Sequence, residues 1–242
     1  MRKEHRISMK NISHSIILST DRCDELARCL TLRGYRLLPF GAAGIVSPRL
    51  SRHPDMFICK MGADDDAPVI SYHEDMQQKY PGFRPLAPDY PGDIAYNAAC
   101  TGRFLIHNLK YTAKHILDHA EEAGMTLVNV RQGYAKCSTV TIDEKSIITY
   151  DRGIAKACEA AGMDVLTIAP GHIALPGYNT GFIGGCSGRA GDTIYFNGDL
   201  SEHPDSRQIT EFIEMRGLQV KYFEDEPLTD IGSIITVRNQ QS

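Results

Sequence analysis

The 242-residue chain has no tryptophan, no cysteine pair at C-x-x-C spacing and no apolar run longer than four residues, Met56 to Cys59. Each absence closes a class of function. A membrane helix needs about 20 apolar residues, so no span is expected. Seven cysteines, an odd number without paired spacing, support neither a zinc ribbon nor a disulfide framework, and most read as buried thiols. Neither a G-x-G-x-x-G nor a Walker A loop occurs, and HILDH at 115–119 lacks the glutamate of a helical zinc pair, so no cofactor and no metal are expected. Charge of one sign is also missing: 26 Lys+Arg stand against 30 Asp+Glu, a net −4, with no long basic run, which argues against a nucleic-acid partner. The opening MRKEHRISMK is basic, but the stretch after it is interrupted by Asn11, Ser13, His14 and Ser15. That is a poor signal-peptide core, and the chain is expected in the cytoplasm.

What the sequence does have is an internal repeat. Residues 15–40, 103–130, 146–169 and 193–223 each read as a strand, an Asp or Asn, an amphipathic helix, a Gly and another strand, and 69–88 is a degraded copy. The glycines that close the helices are Gly34, Gly82, Gly124, Gly162 and Gly217, a period of about 46 residues, within the range of repeat architectures. In the segment 112–124 the apolar residues Ala113, Ile116, Leu117, Ala120 and Ala123 recur every three or four positions, a single buried stripe. Asp21 and Asp151 stand where an N-cap oxygen would accept from the first turn, and Gly can take the left-handed conformation that ends a helix. Helices are predicted at 21–33, 109–123, 151–161 and 203–216, with a short one near 75–80. A further β-rich run precedes each unit, so the repeat is roughly ββαβ. Five such units could form a doubly wound sheet or a closed ring. Nearly three strands per helix favour the ring, because a doubly wound fold has about one.

On these repeats, with stretches such as GYAKCS (133–138) and GYNTGFIGG (177–185), the chain resembles the pentein superfamily of guanidino-group-modifying enzymes, in a bacterial branch of it. The resemblance implies an α/β fold of a single domain over residues 1–242, a five-bladed ββαβ propeller. In such a ring the equivalent junctions converge. These are 47–57, 87–97, 131–140, 169–189 and 224–233, and they carry His53, Asp55, Asp93, Asn97, Lys136, Cys137, Ser138, His172, Asn179, Cys186 and Asp230. The pentein hydrolases use a cysteine nucleophile, a His base often in an H-x-D pair, and carboxylates that hold the planar cation. Carried onto this sequence, His53 and Asp55 are the H-x-D pair, Cys137 is the nucleophile two junctions on, and Cys186 is the second choice. Lys136 would favour the Cys137 thiolate. Asp93, Asn97, Asn179 and Asp230 would bind substrate.

Each of these residues also has a plain structural reading. Cys137 could be a buried thiol before a strand. His53 could end a surface loop, and the second HPD, His203 to Asp205, could open a helix with Pro204 near its first position. His115 and His119 are expected on a solvated helix face, Asp64–Asp66 in a solvated turn, and the GFIGGCSG glycines in close backbone packing. Two functional classes follow. One is a cysteine-dependent hydrolase or transferase acting on a guanidino or amidine compound. The other is a non-catalytic pentein-fold binding protein, resembling ribosome anti-association factors in fold only. The family nucleophile usually lies in the last repeat, and no cysteine follows Cys186, which keeps the second class open. Either way the partner is expected to be a small cationic or polar ligand.

Overall fold

A computed structural model describes residues 13–239; the basic opening, residues 1–10, lies outside them. The described residues form a single mixed α/β domain with five small sheets and five α-helices. Three sheets carry the complete repeat. In each, two antiparallel strands are followed by a helix and a third strand that pairs parallel to the second: β5 (Ala99–Cys100), β6 (Phe104–His107), α3 (Lys114–Glu122) and β7 (Thr126–Asn129); β8 (Thr139–Thr141), β9 (Ser146–Thr149), α4 (Arg152–Ala160) and β10 (Asp164–Thr167); β11 (Ser187–Ala190), β12 (Thr193–Phe196), α5 (Ser206–Glu214) and β13 (Gln219–Lys221). The degraded copy keeps only β3 (Ile58–Lys60), β4 (Val69–Ser71) and α2 (Tyr72–Gln78). The remaining sheet is shared by the chain ends: β1 (His14–Ser19), α1 (Asp24–Leu32) and β2 (Arg36–Phe40) make the strand–helix–strand part, and β14 (Ile235–Arg238) pairs antiparallel with β1. Beyond pairing, β14 lies against β11, β11 against β8, β8 against β5 and β5 against β3, while the turn Pro54–Met56 touches both β3 and β1.

Burial follows from this layout. The middle strands β6, β9 and β12 are buried at every residue, being covered on both faces. The third strands β7, β10 and β13 are half exposed and form the sheet edges. All five glycines expected to close helices have positive φ, from +66° at Gly124 to +91° at Gly34, and at Gly34, Gly124, Gly162 and Gly217 this is the left-handed C-terminal stop that the spacing predicts; α2 instead ends at Gln78 with Lys79 in the left-handed conformation, four residues before Gly82. Among the described residues no helix is long and apolar enough to cross a membrane.

Several local expectations need correction. Four helices are shorter than predicted at both ends, while the short one predicted near 75–80 runs earlier, over Tyr72–Gln78. Residues 109–113 form a turn in which Thr112 Oγ1 serves His107 Nδ1 at 2.8 Å. Asp151 caps α4 as expected, accepting from the Gly153 and Ile154 N–H groups, but Asp21 does not cap α1. Cys23 precedes that helix, and Asp21 instead pairs with Arg52 at 2.5 Å. In the second HPD the cap position of α5 is Asp205, so Pro204 falls outside the helix, and His203 Nδ1 accepts from the Asp205 N–H. His115 is not on a solvated face: Nδ1 meets Asp75 Oδ1 at 2.6 Å and Tyr80 stacks on the ring at 4.0 Å.

Candidate functional site

Asp55, Asn97, Cys137, Cys186 and Asp230 lie one to five residues before β3, β5, β8, β11 and β14, each in a different sheet. Sequence equivalence thus becomes equivalence of place, and the inner junctions meet. Asp55 Oδ2 accepts from Ser233 Oγ at 2.6 Å and from Cys137 Sγ at 3.3 Å. Asn97 uses both ends of its amide: Oδ1 accepts the Lys136 and Cys137 N–H groups, and Nδ2 donates to Cys137 Sγ at 3.0 Å and to the Asp55 carbonyl at 3.1 Å. Asp230 accepts from the Phe182 and Gly232 N–H groups, both at 3.0 Å, and stands 3.5 Å from His53 Nδ1. The Gly-rich segment is what lets these groups approach. A Cβ on Gly185 would lie 2.1 Å from Asp230 Oδ1, and one on Gly184 would lie 2.2 Å from the Lys136 carbonyl. Close packing of backbone therefore accounts for Gly184, and the approach of the Asp230 carboxylate accounts for Gly185.

The state of the thiols follows from this enclosure. Cys137 is buried, and desolvation pushes its thiol well above the ordinary range, with Asp55 and Asp230 adding to the rise. Lys136 does not hold a thiolate. Its ammonium donates to Ser233 Oγ at 2.9 Å and to the Gly184 carbonyl at 3.2 Å, away from the sulfur of its neighbour. Cys186 is buried too, donates to the Ile183 carbonyl at 3.3 Å, and is raised by the same cause. Both sulfurs are thus protonated near neutral pH.

The carboxylates divide. Asp55 and Asp230 meet in the centre, whereas Asp93 lies apart, accepting from Tyr134 Oη at 2.7 Å beside an aromatic group that includes Tyr90 and Phe182. Burial raises Asp93 above the usual carboxylate range. Asn179 and His172 are exposed on the 171–180 segment, with His172 edge-on to His203 at 5.5 Å. Three buried atoms here have no hydrogen-bond partner among the described residues: His53 Nδ1, Asp55 Oδ1 and Asp93 Oδ1.

A cavity of about 460 Å³ opens onto His53 and Asp230. Its rim carries Arg22, Arg49, Arg52 and Asp21, and Leu175 and Pro176 supply apolar wall. Arg49 is held by the Gly177 carbonyl at 2.7 Å and lies over the Tyr178 ring. Burial raises Asp230 to about 6, against the opposing pull of His53. The rim arginines and Ser233 were not singled out by the sequence reading. Three arginines flanking the H-x-D junction and the loop after β1 are a usable signal only once the fold brings those two loops together.

A protein-family model described as "Family of unknown function (DUF6873)" matches residues 17–235. A search of curated proteins found no match. Among solved structures the chain is similar to agmatine deiminase from C. jejuni, at 9% identity and a TM-score of 0.48, covering 94% of each chain. It is also similar to a dimethylarginine dimethylaminohydrolase adduct with 4-chloro-2-hydroxymethylpyridine, at 13% identity and a TM-score of 0.48, covering 93% of this chain and 99% of that one.

Proposed function

The chain belongs to the family of unknown function DUF6873, and we propose that it is a pentein-like five-bladed propeller that binds a small polar ligand in the cavity floored by His53 and Asp230. The ring reading is supported by the order in which the inner strands adjoin, β14, β11, β8, β5 and β3, and by the β1–β14 pair that joins the two ends of the chain. The observation that carries the ligand reading is the floor of the cavity. There an imidazole nitrogen without a hydrogen-bond partner faces a buried carboxylate, an arrangement that burial makes costly until a ligand supplies the missing bonds. The rim arginines select for a negative group and the floor for a donor-rich or cationic end, so the ligand carries both. Loops on a rigid scaffold are where such selectivity resides.

Calorimetric titration with arginine, agmatine and succinate tests this. Arginine, which has both a carboxylate and a guanidinium, is expected to bind most tightly, with agmatine and succinate each weaker. Binding that is equal for all three, or absent for all three, overturns the reading.

One observation favours a second reading, a thiol hydrolase or transferase acting on an amidine or guanidino carbon: Cys137 Sγ already donates to Asp55 Oδ2. In that chemistry the thiol proton passes to Asp55 as sulfur attacks the carbon and the C=N π pair moves onto nitrogen; Asp55 then returns the proton to the departing amine as its C–N bond breaks, with Asp55 rather than His53 as the immediate acceptor. Stoichiometric labelling of Cys137 by a haloacetamidine in the folded protein, lost in Asp55→Asn, would support it. A Cys137 that stays unlabelled until denaturant is added leaves the binding protein as the reading.

A further inference from the structure

A second, much smaller cavity of about 40 Å³ lies where all five sheets meet. Its wall includes Lys60 of β3, Cys100 of β5, Val140 of β8, Arg189 of β11 and Ile234 just before β14, together with Lys136. It shares no lining residue with the His53 cavity. Three cationic side chains therefore face one small space. Their partners are all neutral oxygens: Lys60 Nζ meets Thr236 Oγ1, Lys136 Nζ meets Ser233 Oγ and the Gly184 carbonyl, and Arg189 donates to the Ile142 and Gly191 carbonyls at 3.0 and 2.9 Å. Among the described residues none of the three forms a salt bridge. Asp64 and Asp65 are near enough to act on Lys60 but do not line the cavity. Asp64 accepts from the Asp66 N–H and Asp65 from the Gly191 N–H.

All three side chains are only partly exposed, and like charges gathered around one small space repel one another. Lys60 shows the strain: burial lowers it to about 8, with Arg189 and Lys136 pushing in the same direction against Asp65 and Asp64. The size of the space decides what could relieve it. A water needs about 10–15 Å³ of such volume, so the cavity holds roughly three water-sized groups, room for about three of the four oxygens of a tetrahedral oxyanion and too little for an organic body.

We propose that this cavity is a binding site for a small inorganic oxyanion of the phosphate or sulfate type, held by Lys60, Lys136 and Arg189. The anion takes charge-assisted hydrogen bonds from β3, β11 and the junction before β8 at once and so ties the inner strands together. Isothermal titration of the full chain with inorganic phosphate, and separately with sulfate, at constant ionic strength maintained with potassium chloride, tests the site directly. Saturable binding at one anion per chain is expected. Lys60→Met and Arg189→Gln should each weaken it by about tenfold to a hundredfold, the loss of one hydrogen bond to a charged group. Arg207→Gln removes the same charge from an exposed pair with Glu211 on α5 and should leave the affinity unchanged. The proposal is overturned if the unaltered chain shows no saturable binding, if Arg207→Gln weakens it as much as the other two, or if both cavity variants bind like the parent. Should one cavity variant fail to fold, the other variant and the parent titration still decide.

Discussion

Asp230→Asn isolates the electrostatics of the candidate site. The carboxyl is wholly enclosed, and burial raises it from 3.8 to about 6. At about 1.36 kcal/mol per pH unit, that displacement corresponds to about 3 kcal/mol. The sign follows from which state resists ionisation. Losing the proton costs the folded protein more than the unfolded chain, so the contribution is complete below about pH 3.8 and is lost as pH rises through about 6. Asparagine has no such titration, but it has a constant defect. Its Oδ1 keeps one of the two backbone donors, Phe182 or Gly232, while its Nδ2 confronts the other, at about 1–3 kcal/mol. In acid the variant is therefore the less stable protein. By neutral pH the parent has given up its own 3 kcal/mol or so, and the gap closes or reverses.

Urea unfolding of both proteins in steps between about pH 4 and pH 7 reads this difference. Taking the difference matters because His107 works in the opposite direction. Desolvation lowers it from 6.5 to about 4, so its contribution is present above 6.5 and is lost as pH falls through about 4. That slope is common to both proteins and cancels. A gap that stays constant from pH 4 to pH 7 would refute the claim that Asp230 is ionised against a desolvation cost.

Three further outcomes follow from the same geometry. His107→Phe leaves the Gly133 carbonyl without its 2.8 Å donor and should cost about 1–3 kcal/mol at neutral pH, while flattening the acid limb of the stability curve measured by denaturant titration. Gly185→Ala drives a methyl into the Asp230 carboxylate; calorimetry should show about 1–3 kcal/mol of destabilisation and loss of ligand binding at the His53 cavity. In a timed iodoacetamide reaction read by mass spectrometry, half-exposed Cys29 should be modified before Cys137 and Cys186, whose sulfurs are buried and raised by desolvation.

The repeat made much of the fold legible because its signals are local. A left-handed glycine at a helix end or an Asp at an N-cap acts through a few adjacent backbone groups, so the positions of Gly34, Gly124 and Asp151 can be read without knowing what lies across the molecule. The errors arose where a distant partner competed for the same group. Asp21 is a competent cap by composition, yet Arg52, thirty-one residues away in sequence, takes its carboxylate. His115 has the spacing of a solvated position, yet Asp75 and Tyr80, brought from α2 and the turn after it, cover it. The missing third strand in the sheet of β3 and β4 matches the sequence in which that copy is degraded.

The candidate site shows where such reading stops. Its membership could be anticipated in part, because Asp55, Asn97, Cys137 and Asp230 occupy equivalent junctions and equivalence survives folding. The chemistry of its members could not, because protonation depends on which way each side chain leaves the backbone. Lys136 and Cys137 are adjacent, and adjacency alone suggests an ammonium beside a thiolate. In the folded chain the ammonium turns to Ser233 and Gly184, where it leaves the sulfur to Asp55 and Asn97. Burial and two carboxylates then act on the thiol, the Asn97 amide opposes them only in part, and the thiol keeps its proton. The same lysine, displaced from the role its neighbour suggests, becomes one of three cations around the smaller cavity. A single choice of side-chain direction at position 136 thus removes positive charge from the sulfur and delivers it to a space that can hold an anion.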